Sequence, residues 1–217
     1  MENRLVVSYM TLRSAIGIAG MVIAIVVALG GLLAGLPLQD SISAYYWTTS
    51  QDILVGTLAI AGALLLTYKG YDKTDNWIAT LMGVSAIGIA LFPTLNGYHG
   101  EMSDSVGFFQ LSGYVTNVLH YVFAASLFLL LGYMSYFQFT KTNERKNVSV
   151  QKEQRNVIFR ACGIVIVAAF ALLVLLKAIA PQFSEDFNTV FWLEFVMLVA
   201  FGVSWLTKGQ LILKDQE

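Results

Sequence analysis

SAIGIAGMVIAIVVALGGLLAGLP, Ser14–Pro37, contains no charged side chain. A transmembrane helix needs about 20 mainly apolar residues to cross roughly 30 Å of hydrocarbon, and this run supplies them. It also exceeds the roughly 7–15 apolar residues of a signal-peptide core, so it reads as a retained helix. Five further stretches follow the pattern, over about 52–68, 77–95, 115–139, 157–179 and 191–206; the second and last are short. Around them the chain is 57% hydrophobic and 12% charged, with a mean hydropathy of +0.67, whereas an ordinary soluble domain is about 25% charged. That balance excludes a secreted disulfide scaffold, a nucleic-acid binder and a disordered regulator. Cys162 is the sole cysteine, which excludes an intramolecular disulfide and a dithiol relay. The expectation is an all-α, polytopic transmembrane bundle of six helices, forming one domain over residues 1–217.

Basic residues favour the cytoplasmic side of a membrane. Arg4, Arg13, Lys69, Lys73, Lys141, Arg145, Lys146, Lys152, Arg155, Arg160, Lys208 and Lys214 all fall on one side of the six-span arrangement. Only Lys177 lies toward the other, among Asp40, Glu101, Asp104, Glu185 and Asp186. Both termini are therefore expected in the cytoplasm, in the inner membrane of a bacterium. Trp47 and Trp192 fall at the outer ends of their spans, and Trp77 and Trp205 at the inner ends, as interfacial aromatics should. The polar stretch 140–156, TKTNERKNVSVQKEQRN, reads as a solvated basic connector, with docking of anionic lipid head groups as the alternative.

Small residues at four-residue spacing let helices approach closely. Gly20, Ala24 and Ala28, then Gly56, Ala59 and Ala63, then Ala79, Gly83, Ala86 and Ala90 predict a tight sub-bundle of the first three spans. The bulkier Phe123/Leu127/Leu130/Leu131 surface of the fourth is expected to face lipid or an identical subunit, making a homo-oligomer through that span an open possibility. Pro93 in LFPTLN should end or kink the third span. No internal repeat is evident, which weakens an inverted-repeat transporter.

Ionisable groups inside spans are costly and mark candidate sites. Asp52, His120, Lys177 and Glu194 all fall in the outer half, while the inner half holds only Arg13 and Arg160 near helix ends. Asn117, His120 and Tyr121 share one helical face. The outer loop 39–52, QDSISAYYWTTSQD, adds Ser41, Ser43, Tyr45 and Tyr46, and the loop 96–105, NGYHGEMSDS, adds His99, Glu101 and Asp104. Together these predict an outward pocket, polar above and apolar below, suited to a lipid or similar amphiphile. Structural roles compete at each position. His120 can bond a neighbouring helix, Asp52 can cap one, Glu194 can serve the first turn of its helix or pair with Lys177, Ser41 and Ser43 can be turn residues, and His99 can be a plain loop residue.

Three chemistries remain open. A membrane-embedded hydrolase would use Ser43, His120 and Asp52 as nucleophile, base and orienting acid, although no GxSxG elbow is present. A zinc site could draw on His99, His120, Asp52 and Glu194, although no HxxxH or HExxH pair is present. Haem is disfavoured by the lack of paired histidines. A proton- or solute-coupled transporter would relay through Asp52, His120 and Glu194, and a non-catalytic partner subunit would use the fourth span and the basic loop.

The SIS at Ser41–Ser43, the ALFPT at Ala90–Thr94 and the histidine early in the fourth span together resemble a bacterial family of six-helix membrane proteins of unknown function, distantly like the DRAM and Sfk membrane proteins. The resemblance spans most of the chain and implies six helices with cytoplasmic ends. The outer polar cluster is also similar to that of ceramidase-like membrane hydrolases, whose site combines a serine, an aspartate and three histidines on a helical bundle. This chain has two histidines.

Overall fold

The computed structural model describes residues 2–70, 72–141 and 149–213. Arg145 and Lys146 of the basic connector, Lys214, and the side chain of Arg4 lie outside the described residues. The described residues are all-α apart from one small hairpin. The helices are α1 (Glu2–Leu33), α2 (Gln51–Thr67), α3 (Lys73–Leu91), α4 (Gly113–Tyr133, continuing as a π-helical turn over Met134–Gln138), α5 (Val150–Ile179), the short α6 (Pro181–Asp186) and α7 (Thr189–Lys208). Five of them are long and apolar enough to cross a membrane: Met10–Leu33 of α1, α3, α4 with its extension, α5 and α7. The 17 residues of α2 are apolar but shorter.

Local chemistry moves several expected boundaries. Gly35 takes a left-handed φ of +80°, and Leu36 N donates back to Gly31 O at 3.0 Å while Gly35 N donates to Leu32 O at 3.0 Å. This double closure ends α1 at Leu33, four residues before Pro37, because glycine adopts that conformation without a Cβ clash. Asp72 accepts from Asp75 N at 2.9 Å and starts α3 ahead of Trp77. Pro93 restricts Phe92 to extended backbone, so α3 stops at Leu91. Ser149 accepts from Lys152 N at 3.2 Å, which makes residues 150–156 the first turns of α5 and not part of the connector. Between α3 and α4 lie the two-residue strands β1 (Ser105–Val106) and β2 (Leu111–Ser112), paired antiparallel.

The helices pack through reciprocal glycine contacts. A Cβ on Gly62 of α2 would sit 2.9 Å from Gly83 O, and one on Gly83 of α3 would sit 2.8 Å from Gly62 O. Gly17 and Gly202 make the equivalent approach between α1 and α7, at 3.1 and 2.9 Å, and a Cβ on Gly163 of α5 would sit 2.9 Å from Gly132 O of α4. The expected sub-bundle of the first three spans is thus only half realised. α2 and α3 do pack tightly, but α1 packs chiefly on α7, where the Phe201 ring lies over Gly20. The surface of α4 expected to face outward is also corrected: Leu127 and Leu131 are buried in the core, and Phe123 packs against Gly88 and stacks on Phe92. Its exposed stripe is instead Val115, Val118, Val122, Leu129 and Tyr133.

Apolar side chains also cover the outside. Ile18, Val22, Ile25, Leu29 and Leu32 form one exposed stripe of α1, and α5 exposes Ile164, Val167, Leu172 and Val174. Surfaces of that extent are not left to water; with the five long helices they are the build of a multi-pass membrane protein. Hydroxyl pairs sit inside, with Ser135 Oγ on Ser204 Oγ at 2.7 Å and Ser85 Oγ on Ser126 Oγ at 3.1 Å. Two apolar clusters fill the bundle, one around Trp205, Phe139, Phe159 and Met82, the other around Val27, Tyr45 and Phe191.

At the end carrying the α2–α3 turn, Lys141 Nζ donates to Asp72 Oδ2 at 2.6 Å and lies 3.4 Å from Asp75 Oδ1. The Lys141 hydrogen bond holds the Asp72 carboxyl below its ordinary pKa. Burial opposes the charged form of Lys141, but Asp72 and Asp75 outweigh it and raise the ammonium. The Asp72 contribution to stability is therefore present above the unfolded carboxylate pKa of about 3.9 and lost as pH falls through its lower folded value; that of Lys141 is present below about 10.4 and lost as pH rises through its higher folded value. Lys141→Gln should lower midrange thermal stability in detergent while leaving the pH extremes nearly unchanged, which flattens both limbs of the profile. Unaltered acid and alkaline limbs would count against the clamp.

Candidate functional site

The site is assembled where three chain breaks meet at the opposite end of the bundle. After α1, Ser41 Oγ accepts from Ala44 N at 3.0 Å and starts a single 3-10 turn, Ser43–Trp47. Two long-range bonds hold this turn. Ile42 N donates to Glu194 Oε2 of α7 at 2.7 Å, and Trp47 Nε1 donates to Thr94 O at 2.7 Å. Tyr45 is fully buried against Gly31 and Phe191, and burial raises its hydroxyl pKa even though its oxygen accepts from Gln39 N at 3.3 Å.

The second break is the end of α3. His120 Nδ1 lies 2.8 Å from Phe92 O, and Asn117 Oδ1 accepts from Leu95 N at 2.9 Å and from Thr94 Oγ1 at 3.2 Å. Two members of the polar face of α4 therefore clamp the LFPTLN segment. A carbonyl can only accept, so the proton sits on Nδ1 and Nε2 of the neutral ring is left as an acceptor.

These groups border a cavity of about 230 Å³. Its polar lining is Ser41, Ser43, Thr94, Asn96, His120 and Glu194, with Tyr121 at its edge; below lie Ala124, Phe128, Phe170, Leu173 and Val190. A smaller void of about 50 Å³ continues into the core past Leu54, Leu58 and Leu198, sharing Ser43 and Glu194. Tyr121 and Val174 are 49% and 52% exposed, so the mouth opens sideways between α4 and α5. Tyr121 is eight residues into α4, about 12 Å along its axis, which puts that mouth on the apolar flank.

The expected site residues separate into two groups. Ser43, His120, Tyr121 and Glu194 come together at the cavity. Asp52 is exposed in the first turn of α2 and borders no described cavity; Ser50 occupies the cap position, its hydroxyl donating to Val27 O at 3.0 Å. His99 is exposed, Tyr46 edges only a void of about 10 Å³, and Asn117 serves the clamp. Lys177 does not pair with Glu194: its Nζ lies 3.8 Å from Glu185 on α6, because Glu194 is turned toward the loop at Ile42. With Asp52 and His99 outside, His120 and Glu194 alone do not make a zinc donor set, and no group of three or more such ligands occurs among the described residues. Thr94 and Asn96 are lining residues that the residue pattern did not single out, although Thr94 ends the ALFPT motif.

The opposite end of the bundle holds more buried charge than the span count implied. Asp75, Arg155 and Lys208 are buried alongside Arg13. Lys208 Nζ lies 5.2 Å from the Phe139 ring, Lys152 Nζ donates to Phe139 O at 3.0 Å, and Arg155 donates to Leu213 O at 2.8 Å. Arg160 is exposed. The sequence count missed these groups because α3, α5 and α7 run past the apolar stretches.

Comparison with protein-family models, curated proteins and solved structures finds no match. The class is therefore defined by the fold itself: an all-α chain with five helices able to cross a membrane and a side-opening cavity that is polar at one end and apolar below.

Proposed function

We propose that the chain is a six-span protein of a bacterial inner membrane, with α2 as the sixth span and both termini cytoplasmic, that binds a lipid or similar amphiphile in the cavity between α4, α5 and α7. The orientation is supported by twelve of thirteen basic residues lying toward the terminal side. The binding role is carried by one observation: Ser43, His120 and Glu194, from three distant parts of the chain, border one cavity whose mouth opens on the lipid-facing flank. A polar head would enter sideways and its chain would remain against Phe128, Phe170 and Leu173. Mass spectrometry of lipids retained by the detergent-purified protein tests this. The wild type should retain a defined amphiphile, and Glu194→Gln should weaken the binding of one whose head pairs with the carboxylate about tenfold, or roughly 1.4 kcal/mol. Folded wild type that retains no amphiphile would reject the assignment.

Hydrolysis is the second reading, favoured by Ser43 and His120 bordering the same voids. The Ser43 hydroxyl would attack an ester carbonyl carbon and His120 Nε2 would take its proton, then return it to the departing alkoxide. Phe92 O, in place of Asp52, would orient the imidazole. Acylation of Ser43 by an ester probe, lost in Ser43→Ala, would establish it.

A further inference from the structure

The charges bordering the cavity constrain what its occupant's head can be. No lysine or arginine is among the lining residues; the ionisable groups there are His120, Tyr121 and Glu194. Lys177 is three residues beyond Val174 on α5 and is engaged by Glu185 at 3.8 Å. An anionic head would thus be buried with no lining cation and with Glu194 facing it, the arrangement in which an unpaired buried charge is most costly.

The hydrogen-bonding capacity points the same way. His120 Nδ1 is committed to Phe92 O, which leaves Nε2 an acceptor. Ile42 N occupies Glu194 Oε2, and among the described residues no hydrogen bond reaches Oε1. The Ser41 hydroxyl oxygen accepts from Ala44 N, so its O–H is left as a donor. The open positions around His120 and Glu194 therefore call for donors from the occupant. The volume of about 230 Å³ equals roughly eight waters at about 30 Å³ each, enough for a small head and its first methylenes. Resting on the amphiphile reading above, we infer that the cavity selects a head that donates hydrogen bonds and carries no phosphate or carboxylate, a primary ammonium paired with Glu194 being the best match.

Four probes with the same twelve-carbon chain test this: dodecylamine, glyceryl monododecanoate, dodecyl phosphate and dodecanoate. Each is titrated into the full chain in a neutral maltoside detergent, and binding is read by native mass spectrometry. The amine and the glyceryl ester should bind at least about tenfold more tightly than the two anions, a gap of roughly 1.4 kcal/mol. Glu194→Gln should weaken the amine about tenfold and the ester less than about twofold, with helix content unchanged by circular dichroism. Should that variant misfold, Glu194→Asp, which keeps the charge, should preserve the amine preference. Phosphate or carboxylate binding as tight as the amine would overturn the inference and leave the amphiphile reading standing. Binding of none of the four to folded wild type would overturn both.

Discussion

Gly83→Val is expected to lower stability by about 2–3 kcal/mol, the range for forcing extra methyl groups into a packed helix crossing. The cause is geometric. A Cβ at this position would stand 2.8 Å from Gly62 O and 3.0 Å from Leu66 N, both backbone atoms of α2, and 2.9 Å from the Leu66 side chain. No rotamer change relieves a contact with backbone, so α2 and α3 must separate. In lipid that separation is not opposed by a hydrophobic force between helices, and close packing is the main loss. The measurement is thermal unfolding in detergent, with Gly56→Val as control, since nothing lies within 4 Å of a Cβ at Gly56. Control and variant should differ by most of that energy, and equal midpoints would show that the α2–α3 approach tolerates a side chain.

His120→Ala is expected to cost about 2–4 kcal/mol, combining a vacated core volume with an unsatisfied buried carbonyl. His120 is 3% exposed and Phe92 O takes its Nδ1 proton at 2.8 Å. His120→Asn separates structure from function. The asparagine Nδ2 can reach Phe92 O as Nδ1 does, but nothing replaces Nε2 at the cavity. Stability should return to within about 1 kcal/mol of wild type, the net worth of one hydrogen bond, while amphiphile retention should not return. Recovery of both would make His120 a purely structural clamp.

Much of the architecture was legible because membrane helices announce themselves by length and composition. The apolar runs located every long helix, and Pro93 marked the end of α3. Errors clustered at boundaries, where one residue decides: Gly35 ends α1 early, while Asp72 and Ser149 start α3 and α5 early by capping them. Those extensions carried Asp75 and Arg155, and the last turn of α7 carried Lys208, into buried positions that hydropathy had left outside the spans. In the candidate site, the value of His120 and Asn117 was visible from their shared face on α4, and Glu194 from its cost inside a span. The role expected for Asp52 was not met at the cavity. α2 is apolar nearly all round, so its sequence does not mark which face turns inward, and the face bearing Asp52 turns outward.

Sequence alone determined the class, the apolar segments and the segregation of basic residues, because each depends on how single residues partition between water and hydrocarbon. Which helices touch, and which polar groups meet, depended on the rotation of each helix about its axis. The Gly62–Gly83 and Gly17–Gly202 approaches set part of that rotation, and the Ile42–Glu194 bond, 152 residues apart in the chain, sets where the loop between α1 and α2 closes over α7. Contacts of that kind have no local periodicity to betray them, and they alone brought Ser43, His120 and Glu194 to one cavity.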